Sequence, residues 1–175
     1  RYDAAETSAR VERMMAAFDR SFFAARQGWG NAAADPIFII GLPRSGSTLL
    51  EQILASHSEI EAITELPDIP ELWRSLGDRP HEALSLRSAE EIRSMGADYL
   101  ARVAPQRKTS RPYFIDKLPN NWLYIGFIKT ILPNARIIDA RRHPLSCGWA
   151  NYRQHFARGQ HFSYDLADLG SYYAD

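Results

Sequence analysis

Ile37-Phe38-Ile39-Ile40-Gly41-Leu42-Pro43-Arg44-Ser45-Gly46-Ser47-Thr48 is the stretch that decides the fold. Its first four residues form a continuous apolar run, the pattern of a central parallel strand covered on both faces. Over residues 48–57, Leu49, Leu50, Ile53 and Leu54 recur at helical spacing, so the glycine-bounded turn leads straight from a strand into a helix. In that setting successive amides point inward and the helix N-terminus adds partial positive charge, which together make an anion site. The spacing matches a Walker A loop with one change: Ser47 stands where the loop lysine belongs. In ATP-using loops that lysine contacts the β- and γ-phosphates, and the following hydroxyl holds Mg²⁺. Here the cation lies inside the loop as Arg44, whose guanidinium can fork onto two oxygens of one terminal group. The expected ligand is a nucleotide with a compact 5′ anion, bound without an obligatory metal. A turn whose glycines serve only backbone geometry is the plainer alternative. It leaves unexplained why strand, arginine, paired hydroxyls and helix all occur in the order that anion binding needs.

Outward from the loop, short strands are expected at 61–64, 113–115 and 135–140. Helices are expected at 4–26, 67–76 and 122–132, and from Ser88, where Ser88 and Glu91 form a capping box. Two more helices, broken near Gly159, follow Pro144. Alternating strands and helices imply right-handed crossovers. The expected fold is therefore α/β, a P-loop-like parallel sheet with helices on both faces. Residues 1–34 read as an N-terminal helix and linker, and residues 35–175 as the nucleotide-binding domain. The chain opens on Arg1 and stops inside a helical segment, so a piece of a longer protein, truncated at the C-terminus, is expected.

Composition narrows the function classes. The 175 residues are 45% hydrophobic and 24% charged, which excludes a disordered or low-complexity chain. Lys plus Arg and Asp plus Glu are both 21, so nothing in the net charge calls for a nucleic-acid or anionic-membrane partner. Apolar runs fall far short of the ~20 residues needed to span a bilayer. The single cysteine, Cys147, excludes an internal disulfide and fits a reducing, cytoplasmic setting. The five histidines show no ligand spacing, and no metal is expected. Cys147, Trp29, Trp122 and Trp149 read as packing residues, while Trp73 has the further option of lining an acceptor cleft.

Three further groups complete a site. Ligands of open parallel sheets bind beyond the strands' carboxyl ends. The second long strand ends there in Asp116-Lys117, in a chain with only Lys108 and Lys129 besides. Lys117 suits a reacting group whose charge spreads in the transition state, against the alternative of a solvated lysine paired with Asp116. The third ends in Arg141-Arg142, a second anion site, with Arg141 the better surface charge of the two. Glu65 is the one carboxylate placed to serve as a base, and burial is expected to lift it into a useful range.

Taken together, residues 37–58, Glu65 twenty-one positions beyond Arg44, Phe-Ile-Asp-Lys-Leu-Pro-Asn-Asn at 114–121, and residues 141–156 resemble the sulfotransferase superfamily. The nearest likeness is to bacterial sulfotransferases fused to tetratricopeptide repeats and to tyrosylprotein sulfotransferases. That resemblance implies 3′-phosphoadenosine 5′-phosphosulfate as co-substrate and a hydroxyl-bearing acceptor: protein tyrosine, sugar or small molecule. It implies that Arg44, Ser45, Gly46, Ser47 and Thr48 hold the 5′-phosphosulfate, with Glu65 as base, Lys117 on the departing sulfuryl oxygens and Arg142 on the 3′-phosphate. The family's usual serine on that phosphate is replaced by Ala150, for which Ser146 or Asn151 are the neighbouring substitutes. A kinase-like phosphotransferase and a non-catalytic nucleotide-binding or interaction domain of a larger repeat protein are the alternatives.

Overall fold

The computed structural model describes residues 2–157 and 159–175. In chain order the elements are α1 (Ala4–Ala17), α2 (Arg20–Ala24), β1 (Pro36–Gly41), α3 (Ser47–Ala55), β2 (Ile60–Ala62), α4 (Asp68–Arg74), α5 (Pro80–Ser85), α6 (Ala89–Val103), β3 (Tyr113–Lys117), α7 (Ile125–Ile131), β4 (Arg136–Ala140), α8 (Pro144–Tyr152) and α9 (Leu166–Ala174). The four strands form one parallel sheet in the order β2-β3-β1-β4. β1 is central and buried along its whole length, as its unbroken apolar run requires.

Strand alternation splits the apolar residues between two layers. Phe38, Ile40 and Phe114 face the larger core, with Ile92, Tyr99 and Val103 of α6 and Phe127, Ile128 and Ile131 of α7. Ile37, Ile39 and Ile115 face the smaller one, against Leu50 and Leu54 of α3. Helices thus cover both faces. Met14 of α1, with Phe18, Phe22 and Trp29, packs onto the larger core. Among the described residues no helix is long and apolar enough to cross a membrane.

Several boundaries differ from the sequence expectations. The 4–26 helix is two helices, because Asp19 accepts from the Phe22 amide at 2.7 Å and so starts a new one. Residues 119–124 form a 3-10 turn ahead of α7, opened by Pro119 in its first turn. α5 is too short for apolar periodicity to reveal, yet Pro80 marks its first turn. The capping box of α6 is present with both reciprocal bonds.

Candidate functional site

The loop after β1 is shaped by backbone conformation. Gly41 closes the strand at φ 135°, where a Cβ would lie 2.5 Å from the Ala140 carbonyl oxygen of β4. Arg44 is the one non-glycine residue at positive φ (65°) among the described residues, and Gly46 follows at 99°. Arg44 is thereby held in a left-handed conformation that costs energy outside glycine. The first bond of α3 runs from the Leu50 amide to the Gly46 carbonyl, so the amides of Ser47, Thr48 and Leu49 precede any intrahelical acceptor. Ser45 and Ser47 are buried, and the Ser45 hydroxyl is without a partner among the described residues. Arg44, Gly46 and Thr48 are exposed.

α8 fixes this loop from beneath. Asn151, fully buried, donates from Nδ2 to the Pro43 carbonyl at 2.6 Å and to the Cys147 carbonyl at 2.9 Å. The Cys147 thiol also reaches Pro43 O, at 3.6 Å. Arg142, just after β4, donates from Nη1 to the Arg44 carbonyl at 3.5 Å. A cavity of about 370 Å³ opens beside the loop, lined by Ser45, Arg142, Trp122, Tyr172 and Tyr173 among others.

On the other side of β1, register pairs Ile39 with Lys117, which sets the lysine at the carboxyl end of β3 next to the loop. Odd positions of β3 face α3, so Lys117 points to that helix. It is buried, with Nζ bonded directly to Glu65 Oε1 and 3.9 Å from Glu51 Oε2. Glu51 is buried on α3, and burial raises its carboxyl above the usual range, with Lys117 pulling the other way. Asp116 points oppositely, where the Tyr99 hydroxyl donates to Oδ2 at 2.7 Å. The strand order β3-β1-β4 thus sets the Lys117–Glu65 pair, the loop and Arg142 side by side at one end of the sheet.

The sequence profile of the sulfotransferase family matches residues 36–175. The chain belongs to the sulfotransferase family. An uncharacterized protein of Aquifex aeolicus is 34% identical over 183 residues, 97% of this chain and 24% of that protein. Nodulation protein NoeE of Sinorhizobium fredii is 28% identical over 130 residues, 61% of this chain and 28% of that protein. The sulfotransferase-family chain spans about a quarter of the length of these relatives.

Some readings of individual residues need correction. Glu65 is not buried: its side chain is 53% exposed on the loop after β2. The buried carboxylate of the site is Glu51, whose signal was a lone acid four residues after Ser47 and next to Leu50 and Leu54, which face the sheet. Lys117 pairs with Glu65 and Glu51, not with Asp116. Trp73 is a core residue against Phe127 and Tyr124, so it lines no cleft. Trp149, read as packing, is 58% exposed. Arg141, by contrast, is the surface charge expected of it, turned outward to Asp139. Ser146 is exposed in the first turn of α8, while the Asn151 amide is already engaged by the Pro43 carbonyl of the loop and the Cys147 carbonyl of its own helix.

Proposed function

We propose that this chain transfers a sulfuryl group from 3′-phosphoadenosine 5′-phosphosulfate to an acceptor hydroxyl. The observation that carries the reading is the buried Lys117, bonded to Glu65 on the strand beside an arginine-bearing anion loop. The loop fits such a donor: the Ser45 hydroxyl and the first amides of α3 are donors without an acceptor among the described residues. No lysine stands at position 47 to serve a triphosphate.

The donor supplies a sulfuryl group carried on a phosphate leaving group. Glu65, half in solvent, takes the acceptor's hydroxyl proton as its oxygen bonds to sulfur and the bond from sulfur to the phosphate oxygen breaks, leaving 3′,5′-diphosphoadenosine. Arg44 and Lys117 neutralise charge on the transferring group and the bridging oxygen. Ser45, Gly46, Ser47 and Thr48 seat the 5′ anion, and Arg142 takes the 3′-phosphate. A sulfuryl group carries less charge than a phosphoryl group, so fixed side-chain cations serve where phosphoryl transfer uses Mg²⁺.

The test is transfer of labelled sulfate to tyrosine-containing peptide, sugar and small alcohol acceptors. Glu65→Gln and Arg44→Ala are each expected to lower turnover by about two orders of magnitude. Full activity in both variants discards the assignment. EDTA-sensitive transfer from ATP would establish the kinase reading instead, and tight diphosphoadenosine binding without transfer would leave a binding module.

A further inference from the structure

The site holds one ammonium and two carboxylates, and the mechanism above uses only one of the carboxylates. Lys117 and Glu51 are both buried, with side-chain exposures of 10% and 9%, whereas Glu65 is 53% exposed. Glu51 is fixed on α3, four residues after Ser47, so the helix that carries the anion loop also carries this acid. Glu65 rides on the irregular segment between β2 and α4. A lysine ammonium has three donors, and the contact to Glu65 uses one. At 3.9 Å, Glu51 Oε2 is an ion-pair partner one short movement from a hydrogen bond.

The chemistry makes this second acid consequential. When Glu65 takes a proton its charge is gone, and Glu51 is then the one ionised carboxylate among the described residues within 4 Å of the buried Lys117 ammonium. An unpaired buried charge is costly. Building on the donor reading above, we infer that Glu51 is a positioning residue that holds the Lys117 ammonium toward the loop while Glu65 is neutral. Lys117 therefore passes between two carboxylates, the exposed one that reacts and the buried one that does not.

Reductive methylation with ¹³C-formaldehyde, read by NMR, tests this without needing turnover. Lys108, Lys117 and Lys129 are the chain's three lysines, so with the α-amine at most four signals need assigning. In Glu65→Gln, Lys117 is expected to stay as slow to label as in the parent chain. In the Glu51→Gln/Glu65→Gln double variant its labelling should rise severalfold. Loss of protection in Glu65→Gln alone, or full protection in the double variant, overturns the inference. Should the double variant fold poorly, Glu51→Asp in the Glu65→Gln background retracts the remaining carboxylate by one methylene and should raise labelling in the same direction, and unchanged labelling there is equally fatal. In turnover, Glu51→Gln should lower kcat about tenfold to a hundredfold, with the donor KM within about twofold. In a Lys117→Met background it should cost nothing more, because its effect runs through that lysine; an equal loss in both backgrounds makes Glu51 merely structural. If the parent chain fails to bind 3′,5′-diphosphoadenosine, the donor reading falls while the labelling result still decides the role of Glu51.

Discussion

Asp116 lies in the middle of the molecule with no solvent exposure. Its Oδ2 accepts from Tyr99, and its Oδ1 has no partner among the described residues. Burial pushes its carboxyl up to about 7, although the Tyr99 hydrogen bond pulls the other way. The folded chain therefore keeps a proton there over a range in which the unfolded chain, ionising near 4, has lost it. Between about pH 4 and pH 7 the native state binds more protons, so this group's contribution falls as pH rises. Asp116→Asn keeps the acceptor for Tyr99 and cannot ionise. It should match the parent chain near pH 4 and exceed it at pH 8 by up to a few kcal/mol, at roughly 1.4 kcal/mol per tenfold in proton affinity. Urea unfolding at the two pH values checks this, and an equal difference at both would show that ionisation is not involved. Lys117 and Asp116 also show what alternation can and cannot say. Neighbours on a strand must face opposite layers, so their opposite environments were implicit in the sequence. That Lys117 would find two acids, one on α3 and one beyond β2, depended on packing that no local pattern records.

Elements were legible wherever a strong local signal set them. The β1 run, the α6 capping box and the loop glycines each fix structure within a few residues, and each is found where the pattern places it. Local competition blurred the rest: Asp19 divides a periodic stretch by capping, and six-residue α5 has too few turns to show a stripe. Asn151 was read in the sequence only as a neighbouring substitute for the serine replaced by Ala150, because its actual partner, Pro43, is over a hundred residues away. Close approach between elements is equally silent. At Gly96 of α6 a Cβ would lie 2.3 Å from the Ile131 carbonyl oxygen at the end of α7. That carbonyl is backbone and Asn31 Cβ, at 2.7 Å, is held by its own backbone, so neither can swing aside. Gly96→Ala is expected to destabilise the fold by about 1–3 kcal/mol through overpacking, against the small gain alanine normally brings to a helix. Thermal unfolding decides the sign, and a more stable variant would mean that α6 slides freely on α7.

At the scale of the whole molecule, the site is a property of strand order. β1 stands between β3 and β4, so a ligand that spans from Lys117 across the loop to Arg142 touches three strands far apart in sequence. Binding there ties together segments that separate on unfolding, and any ligand held only by the folded state stabilises it by mass action. For 3′,5′-diphosphoadenosine at a hundred times its Kd the gain is about 2.7 kcal/mol, which for a chain of this length raises Tm by roughly 5–10 °C. Arg142→Ala removes the guanidinium assigned to the 3′-phosphate and its contact to the Arg44 carbonyl. It should cut the shift from diphosphoadenosine much more than that from adenosine 5′-phosphate, which lacks the 3′ group. Differential scanning fluorimetry with both nucleotides separates the two anion sites: equal losses would place Arg142 in loop geometry alone, and no shift with either would remove the nucleotide from this cleft.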